Sequence, residues 1–195
     1  YAASEGGGTI VTPEQWKKIA SVLATRKLIP LLDFAYQGFG AGLREDAVGL
    51  ETLCGAVKEL FICRSFSKNF GLYNERVGAL TVVAESSQSA EAVLSQVKTC
   101  IRANYSNPPS HGASIVAAIL GEASLRSQWE QELKAMRDRI NGMRQAFVGA
   151  LTQRGVKTDL SFITRQKGMF SFSGLSKEQV ERLKKEYAIY IVGTG

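Results

Sequence analysis

The sequence predicts an α/β protein, and three observations support that prediction. Two short apolar runs, residues 28–34 and 60–65, have the length and composition of parallel strands buried on both faces. A helical segment at 51–60 lies between them, which gives the strand–helix–strand order of a parallel βαβ unit. Farther along, residues 124–153 carry apolar side chains at three- and four-residue spacing, the pattern of a long amphipathic helix.

The first helix is predicted from its start signal. Thr12 is a good N-cap residue, Pro13 occupies the first helical position, and Gln15 can complete a capping box. The helix should continue through Leu23 and lead into the first strand. The remaining predicted elements are a strand at 77–84, helices at 87–103, 110–122 and 178–187, and strands at 162–164, 169–172 and 189–192.

Composition excludes several classes of function. The chain has 195 residues, 45% hydrophobic and 22% charged, and its apolar runs are shorter than the roughly 18 residues of a membrane span. The net charge is +6, but basic residues are spread along the chain and mixed with acidic ones, so we expect no nucleic-acid binding.

The cysteines and the single histidine argue against disulfides and against a metal site. The three cysteines, Cys54, Cys63 and Cys100, form no C-x-x-C pair and lie in apolar stretches, which predicts buried free thiols and a cytoplasmic location. His111 is the only histidine, so a multi-histidine metal site is excluded and no metal site is expected.

Lys68 follows the second strand and is surrounded by groups that can hold a phosphate. Ser65 and Ser67 precede it, and Arg76 comes eight residues later. Hydroxyls and a guanidinium are good donors to phosphate oxygens. A neutral lysine amine beside such donors can form a Schiff base with a carbonyl cofactor or substrate.

The first strand ends with Asp33, and Tyr36 follows it. Open α/β sheets bind ligands at the carboxyl ends of their strands, so we expect Asp33 and Lys68 to lie at one site. There a carboxylate could keep a pyridine nitrogen protonated, and the phenol could reach the phenolic oxygen of the same ring. The alternative from the residues alone is a buried ion network of Asp33, Lys68 and Arg76.

Four ordered motifs resemble the aspartate and aromatic amino-acid aminotransferases of the fold-type I class, bacterial members above all. These motifs are Asp33–Phe39, Ser65–Gly78, Arg102–Pro109 and Gly168–Phe172. The resemblance implies pyridoxal 5'-phosphate as cofactor. It also implies ping-pong transamination between aspartate and 2-oxoglutarate, with aromatic amino acids as further candidate substrates.

The resemblance implies a role for each candidate residue near the cofactor ring. Lys68 would form the Schiff base and then act as general base and acid in the proton transfer. Asp33 would pair with the ring nitrogen, and Tyr36 would hydrogen-bond the ring oxygen.

The same resemblance implies the phosphate and substrate contacts. Ser65, Ser67 and Arg76 would bind the phosphate. Arg102 would bind the distal carboxylate of a dicarboxylic substrate in the neighbouring subunit of a homodimer. Phe170 would line the substrate pocket, and the partners would be amino-acid and 2-oxo-acid substrates.

The resemblance also implies a domain division and a partial chain. Residues 1–11 would be a linker or junction, 12–123 the C-terminal part of the cofactor-binding large domain, 124–154 the interdomain helix and 155–195 part of an α+β small domain. The large domain would hold a mainly parallel sheet with helices on both faces.

Members of the family are considerably longer, and their asparagine before the first helix corresponds to Glu5 here. The alternative hypothesis is therefore a catalytically inert fragment that folds, dimerises or binds cofactor weakly.

Overall fold

The structure is a computed structural model that describes residues 11–193. Its elements are α1 (Pro13–Arg26), β1 (Leu31–Phe34), a short 3-10 turn (Glu45–Ala47), α2 (Val48–Cys54), β2 (Leu60–Ser65), β3 (Gly78–Val83), α3 (Ser87–Asn104), α4 (His111–Gly121), α5 (Ala123–Gln153), α6 (Ser161–Arg165) and α7 (Lys177–Tyr187). The α/β class is confirmed. The predicted linker lies outside the described residues, except for Val11.

The three strands form one sheet in the order β1-β2-β3. β1 and β2 are parallel, with Leu32 opposite Ile62, as the strand–helix–strand pattern predicts. β3 is antiparallel to β2, with Thr81 opposite Ile62. The 66–77 segment joins these two strands through turns at one end of the sheet, without a crossover helix. β3 therefore runs in the opposite direction to β2.

One face of the sheet is buried against α1 and α2. Its core comprises Ala20, Leu32, Phe34, Leu53, Leu60 and Ile62. Side chains alternate between the two faces of a strand, so Asp33 and Ser65 belong to the opposite face. The packing of the first face therefore determines which residues β1 and β2 present to the candidate site.

The ends of α1 are fixed by local hydrogen bonds. The predicted capping box is present, because Thr12 N donates to Gln15 Oε1 at 2.8 Å and Gln15 N donates to Thr12 Oγ1 at 3.3 Å. The helix ends at Lys27 in a left-handed conformation, and Leu28 N donates to Leu23 O. This C-cap uses residues that the prediction had placed in the first strand, so β1 begins at Leu31 instead of residue 28.

The long helix predicted at 124–153 is confirmed as α5. Leu133 is 1% exposed at its centre, whereas Met143 and Phe147 remain more than half exposed. The predicted apolar stripe is therefore only partly buried in this structure. Within residues 11–193, none of the helices combines the length and apolar character that crossing a membrane requires.

The predicted strands of the C-terminal part are wrong, although its helix at 178–187 is confirmed as α7. Residues 162–164 lie in α6, and 169–172 and 189–192 are irregular. In the second segment, Gln166 uses its side-chain amide to donate to Phe172 O and to accept from Phe172 N. The Gln166 side chain thus forms the hydrogen bonds with the Phe172 backbone that a neighbouring strand would otherwise form.

The helix predicted at 51–60 is also shorter than expected. α2 covers Val48–Cys54, and Gly55 is its C-cap residue. Ala56 N and Val57 N both donate to Leu53 O, which closes the last turn and releases the chain into β2. The helix still makes the connection between the two parallel strands.

Candidate active site

Lys68, Tyr36 and Phe170 lie together although they come from three distant parts of the sequence. Lys68 is half-buried in the loop after β2, and its Nζ lies 4.8 Å from the centre of the Tyr36 ring. The Tyr36 and Phe170 rings meet edge to face, with centroids 5.8 Å apart and an interplanar angle of 81°. The structure thus places an amine, a phenol and an aromatic wall side by side.

Asp33 is on β1, exposed, at the end of the strand that leads to Tyr36. Burial raises the pKa of Tyr36 above its ordinary value, and the negative charge of Asp33 raises it further. The phenol therefore keeps its proton to a higher pH than an ordinary tyrosine does. A protonated phenol can donate a hydrogen bond to an anionic oxygen in this space.

The loop that carries Lys68 is stabilised by its own hydrogen bonds. Ser67 is 5% exposed, and its N–H donates to Ser65 Oγ at 3.2 Å. Phe70 N donates to Phe66 O, and Gly71 N donates to Lys68 O at 3.2 Å. Ser67 is therefore buried immediately before the lysine in the chain, and Ser65 Oγ is already engaged by the loop backbone.

Two neighbouring elements fix the same loop from outside. Trp129 on α5 donates its indole N–H to Asn69 O at 2.7 Å, and its ring stacks on Phe70 with centroids 4.4 Å apart. Asn69 Nδ2 donates to Gln37 O, in the loop after β1. In the sequence, Trp129 is only one member of the apolar stripe at 124–153, and the signal that could have singled it out is an indole near the start of the long helix.

The loop after β1 is organised by a carboxylate that sequence reasoning did not single out. Asp46 accepts hydrogen bonds from Gly38 N at 2.8 Å, Gly40 N at 3.0 Å and Ala41 N at 2.8 Å. Gly38 has a φ of +97°, and a Cβ there would overlap Leu133 of α5. The sequence signal that could have indicated this loop is a set of three glycines followed closely by Glu45 and Asp46.

The Arg76 guanidinium is hydrogen-bonded within its own turn. Arg76 is exposed, has a φ of +51°, and its Nη1 donates to Tyr73 O at 3.0 Å. Within residues 11–193, no ion pair joins it to Asp33, and none involves Lys68. The ion network considered as an alternative is therefore not formed in the part of the chain that the structure describes.

Arg102 also lies outside the group formed by Lys68, Tyr36 and Phe170. It is exposed near the end of α3, where its Nη1 donates to Ser106 Oγ at 2.6 Å. No hydrogen bond or ring contact links it to those three residues among the described ones. Its predicted role in a neighbouring subunit remains a prediction.

The segment that carries Phe170 is held by a buried arginine on α5. Arg144 is 5% exposed, and its guanidinium donates to Gly168 O, to Phe170 O at 2.8 Å and to Ser171 Oγ at 2.8 Å. A further hydrogen bond joins it to Asn141 Oδ1. Sequence reasoning missed this residue, although Arg144 stands one turn after an apolar position of the stripe.

The residues near Lys68 fit pyridoxal phosphate chemically. The amine lies against a phenol, and Asp33 and Ser65 share one face of the sheet at the ends of neighbouring strands. A metal centre has no comparable support, because residues 11–193 contain no group of three or more His, Cys, Asp or Glu side chains placed to hold an ion. All three cysteines are free, as predicted, but none is buried, because Cys54 and Cys100 are exposed and Cys63 is half-buried.

The chain is similar to known aminotransferases. The family model described as aminotransferase class I and II matches residues 6–194. Aspartate aminotransferase of Escherichia coli (strain K12) is 56% identical over 184 residues, which are 94% of this chain and 46% of that protein. Aromatic-amino-acid aminotransferase of the same organism is 43% identical over 188 residues, which are 96% of this chain and 47% of that protein.

Solved structures give the same result for the fold. Aromatic-amino-acid aminotransferase from Burkholderia pseudomallei, covalently bound to pyridoxal phosphate, matches with a TM-score of 0.95 and 48% identity, over 97% of this chain and 47% of that one. The chain spans about half the length of the curated relatives it matches. The predicted resemblance is confirmed in sequence and in fold: this chain belongs to the aminotransferase class I and II family.

Proposed function

We propose that this chain carries the cofactor-attaching lysine of a pyridoxal-phosphate-dependent aminotransferase. The observation that supports the proposal most directly is the position of Lys68, whose amine lies 4.8 Å from the Tyr36 ring at the shared end of two parallel strands. Ligand sites of open α/β sheets lie at this edge. The proposed reaction transfers an amino group between aspartate and 2-oxoglutarate in a ping-pong manner.

The residues of this chain would divide the work around the cofactor. When bound, pyridoxal phosphate withdraws electrons from the Cα of an attached amino acid and so makes its proton removable. Lys68 would bind the cofactor covalently and then carry that proton away from Cα. Asp33 would keep a proton on the ring nitrogen, and Tyr36 would donate a hydrogen bond to the ring oxygen.

The phosphate would be bound by Ser65, Ser67 and Arg76. The two serines lie in the loop that carries Lys68, and Ser67 N is already hydrogen-bonded to Ser65 Oγ. Arg76 would have to turn its guanidinium from Tyr73 O toward the serines, which its exposed position allows. A guanidinium is well suited to this task because its planar fork matches phosphate oxygens.

The substrate proposals rest on relatives and on two further residues. One relative is named for aspartate and another for aromatic amino acids, so both classes are candidates here. Phe170 would form the wall beside the substrate side chain. Arg102 would bind a distal carboxylate in the neighbouring subunit of a homodimer. Light scattering tests the dimer, and a strictly monomeric protein at assay concentration would contradict the role of Arg102.

The domain division and the location remain proposals as well. α5 covers Ala123–Gln153, which supports an interdomain helix at 124–154 between a large-domain part at 12–123 and a small-domain part at 155–195. Three free cysteines fit the reducing cytoplasm, since disulfides persist mainly in oxidising compartments.

A second candidate function is cofactor binding without turnover. Asp33 and Arg76, two of the proposed cofactor ligands, are exposed in the described part of the chain, which favours weak binding. Adding aspartate to the cofactor-loaded protein separates the two candidates. A change of the visible absorbance to that of the aminated cofactor supports transamination, and a stable spectrum supports binding alone.

The test of the proposal begins with the visible absorbance of the protein mixed with pyridoxal phosphate. We expect a shifted band in the unchanged protein, its loss in Lys68→Ala and its retention in Lys157→Ala. Lys157 is the matched control because it is an exposed lysine far along the chain from the site. Equal bands in both variants would contradict the role of Lys68.

A further inference from the structure

We propose that Arg144 is a positioning residue that fixes the Phe170 ring beside Tyr36 and thereby sets the space available to a substrate side chain near Lys68. The proposal rests on the substrate-wall role of Phe170 proposed above. It goes further because it assigns the position of the Phe170 ring to a residue of α5 that lies outside the substrate space.

Four hydrogen bonds of Arg144 serve one short segment and the helix that carries the arginine. One Nη donates to both Gly168 O and Phe170 O, Nε donates to Ser171 Oγ, and the other Nη donates to Asn141 Oδ1. A guanidinium presents its donors in a rigid plane, so it restrains direction as well as distance. A lysine has a single ammonium and would not reproduce this geometry.

Burial makes these hydrogen bonds obligatory. Arg144 is 5% exposed, so its charge has little water to replace a lost acceptor. Conversely, the carbonyls of Gly168 and Phe170 would lose a charged donor if the arginine were removed. The position of the segment is therefore tied to the position of Arg144.

The Phe170 side chain itself has little else to hold it. It is 52% exposed, so packing fixes only about half of its surface. Its recorded ring contact is with Tyr36, whose ring is in turn 4.8 Å from Lys68 Nζ. One more backbone bond, from Gly168 N to Phe39 O at 3.3 Å, joins the segment to the loop after β1. Releasing the carbonyls that Arg144 holds should therefore let the Phe170 ring leave Tyr36.

The same helix face also holds the lysine loop, but through other residues. Trp129, Leu133, Arg137 and Arg144 fall within a sector of about 80° on α5, given about 100° of rotation per residue. Trp129 contacts the lysine loop, and Arg137 Nη1 donates to Gly38 O in the loop after β1. A change at Arg144 should thus displace Phe170 while Lys68 keeps its position.

The test uses the whole chain with 4-fluorophenylalanine placed at position 170 and followed by fluorine NMR. Tyr36→Leu defines the resonance of a ring that has lost its aromatic neighbour. We expect Arg144→Met to move the resonance most of the way to that position, and Arg144→Lys to move it nearly as far. Arg139→Met is the matched control, because Arg139 is an exposed arginine on the same helix, and it should leave the resonance unchanged.

A milder variant covers the case in which Arg144→Met does not fold. Ser171→Ala removes only one hydrogen-bond partner of Arg144, so it should keep the fold and broaden or partly shift the resonance. An unshifted, sharp line in a folded Arg144 variant, or in Ser171→Ala if no Arg144 variant folds, would overturn the positioning role.

The substrate part is tested with 3-phenylpropionate as probe and the cofactor-loaded protein. We expect its dissociation constant to rise about tenfold in Arg144→Lys, which corresponds to about 1.4 kcal/mol, while the cofactor band at Lys68 is unchanged. An unchanged dissociation constant would overturn the proposal that Arg144 sets the space available to a substrate side chain. Failure of the unchanged protein to load cofactor would instead contradict the proposed function, and the fluorine comparison would still decide the position of Phe170.

Discussion

The Lys68 loop and the Phe170 segment both bring a side chain to Tyr36 without belonging to a helix or strand, yet they are held differently. The Lys68 loop has backbone hydrogen bonds of its own and is covered by the indole of Trp129. The Phe170 segment instead gives its backbone groups to the side chains of Arg144 and Gln166.

That difference separates two tasks of the proposed site. A lysine that binds a cofactor and moves a proton needs a fixed position, which several independent contacts can provide. A wall for a substrate side chain can be set by fewer contacts, so one substitution can shift it. We therefore expect changes around the Lys68 loop to cost the most folding stability, and changes around the Phe170 segment to cost less stability but to alter the site as well.

The largest expected effect is on the Lys68 side of the comparison. Trp129→Ala removes both the ring stacked on Phe70 and the hydrogen bond to Asn69 O. We expect a loss of about 3 kcal/mol in the free energy of unfolding, measured by urea denaturation. Trp129→Phe keeps a ring and should lose only about 1 kcal/mol. A loss of less than about 1 kcal/mol in Trp129→Ala would mean that the indole does not fix the loop.

The next effect concerns the loop that carries Tyr36. Gly38→Ala introduces a Cβ at a φ of +97° and against Leu133, so we expect about 1–3 kcal/mol of destabilisation in the same assay. Gly142→Ala is the matched control, because the position is helical and has no atom within 4 Å of an added Cβ. This control should be neutral or stabilising by up to about 1 kcal/mol. Equal stability of the two variants would contradict the close approach of Gly38 to α5.

On the Phe170 side, Gln166→Leu removes the amide that pairs with both backbone groups of Phe172. These groups are partly buried, so we expect about 1–2 kcal/mol of destabilisation together with faster amide hydrogen exchange in residues 168–174. Exchange in the 66–71 peptide should not change. Faster exchange in both peptides would mean that the two segments are held as one unit.

The smallest expected effect is on the pH dependence of stability. The pKa of Tyr36 is raised in the folded protein, so the folded state keeps its proton longer than the unfolded state. Stability should therefore fall as pH rises above the ordinary tyrosine value of about 10. In Tyr36→Phe this part of the alkaline loss should be absent, as unfolding curves at several alkaline pH values would show.

Asp33→Asn refines the same prediction. Burial is the larger cause of the raised pKa and the charge of Asp33 the smaller one. The variant should therefore keep most of the alkaline loss that Tyr36→Phe removes. Complete loss of the effect in Asp33→Asn would show that charge, and not burial, dominates at Tyr36.

Sequence reasoning located the sheet and the lysine because their signals are local. The apolar runs that became β1 and β2 are continuous, and Asp33 and Lys68 follow them directly. The contacts that hold the site are not local. Trp129 and Asn69 are 60 residues apart, and Arg144 and Ser171 are 27 apart, so no spacing rule could pair them.

The failed strands have the same origin. In the predicted strand at 169–172, Phe170 and Phe172 flank Ser171, and aromatic residues at every second position are a reasonable strand signal. Pairing, however, is decided by where the backbone groups find partners, and here Arg144 and Gln166 supply them. The antiparallel direction of β3 was likewise not predicted, since the nearly continuous apolar run at 77–84 resembles the runs of the two parallel strands.

The central claim is that Lys68, and not another lysine, attaches the cofactor. The most direct measurement is to mix the protein with an equimolar amount of pyridoxal phosphate, reduce with borohydride, digest, and locate the adduct by mass spectrometry. We predict that the peptide containing Lys68 carries nearly all of it. An adduct spread over exposed lysines in proportion to their accessibility, with none enriched at Lys68, would contradict the assignment.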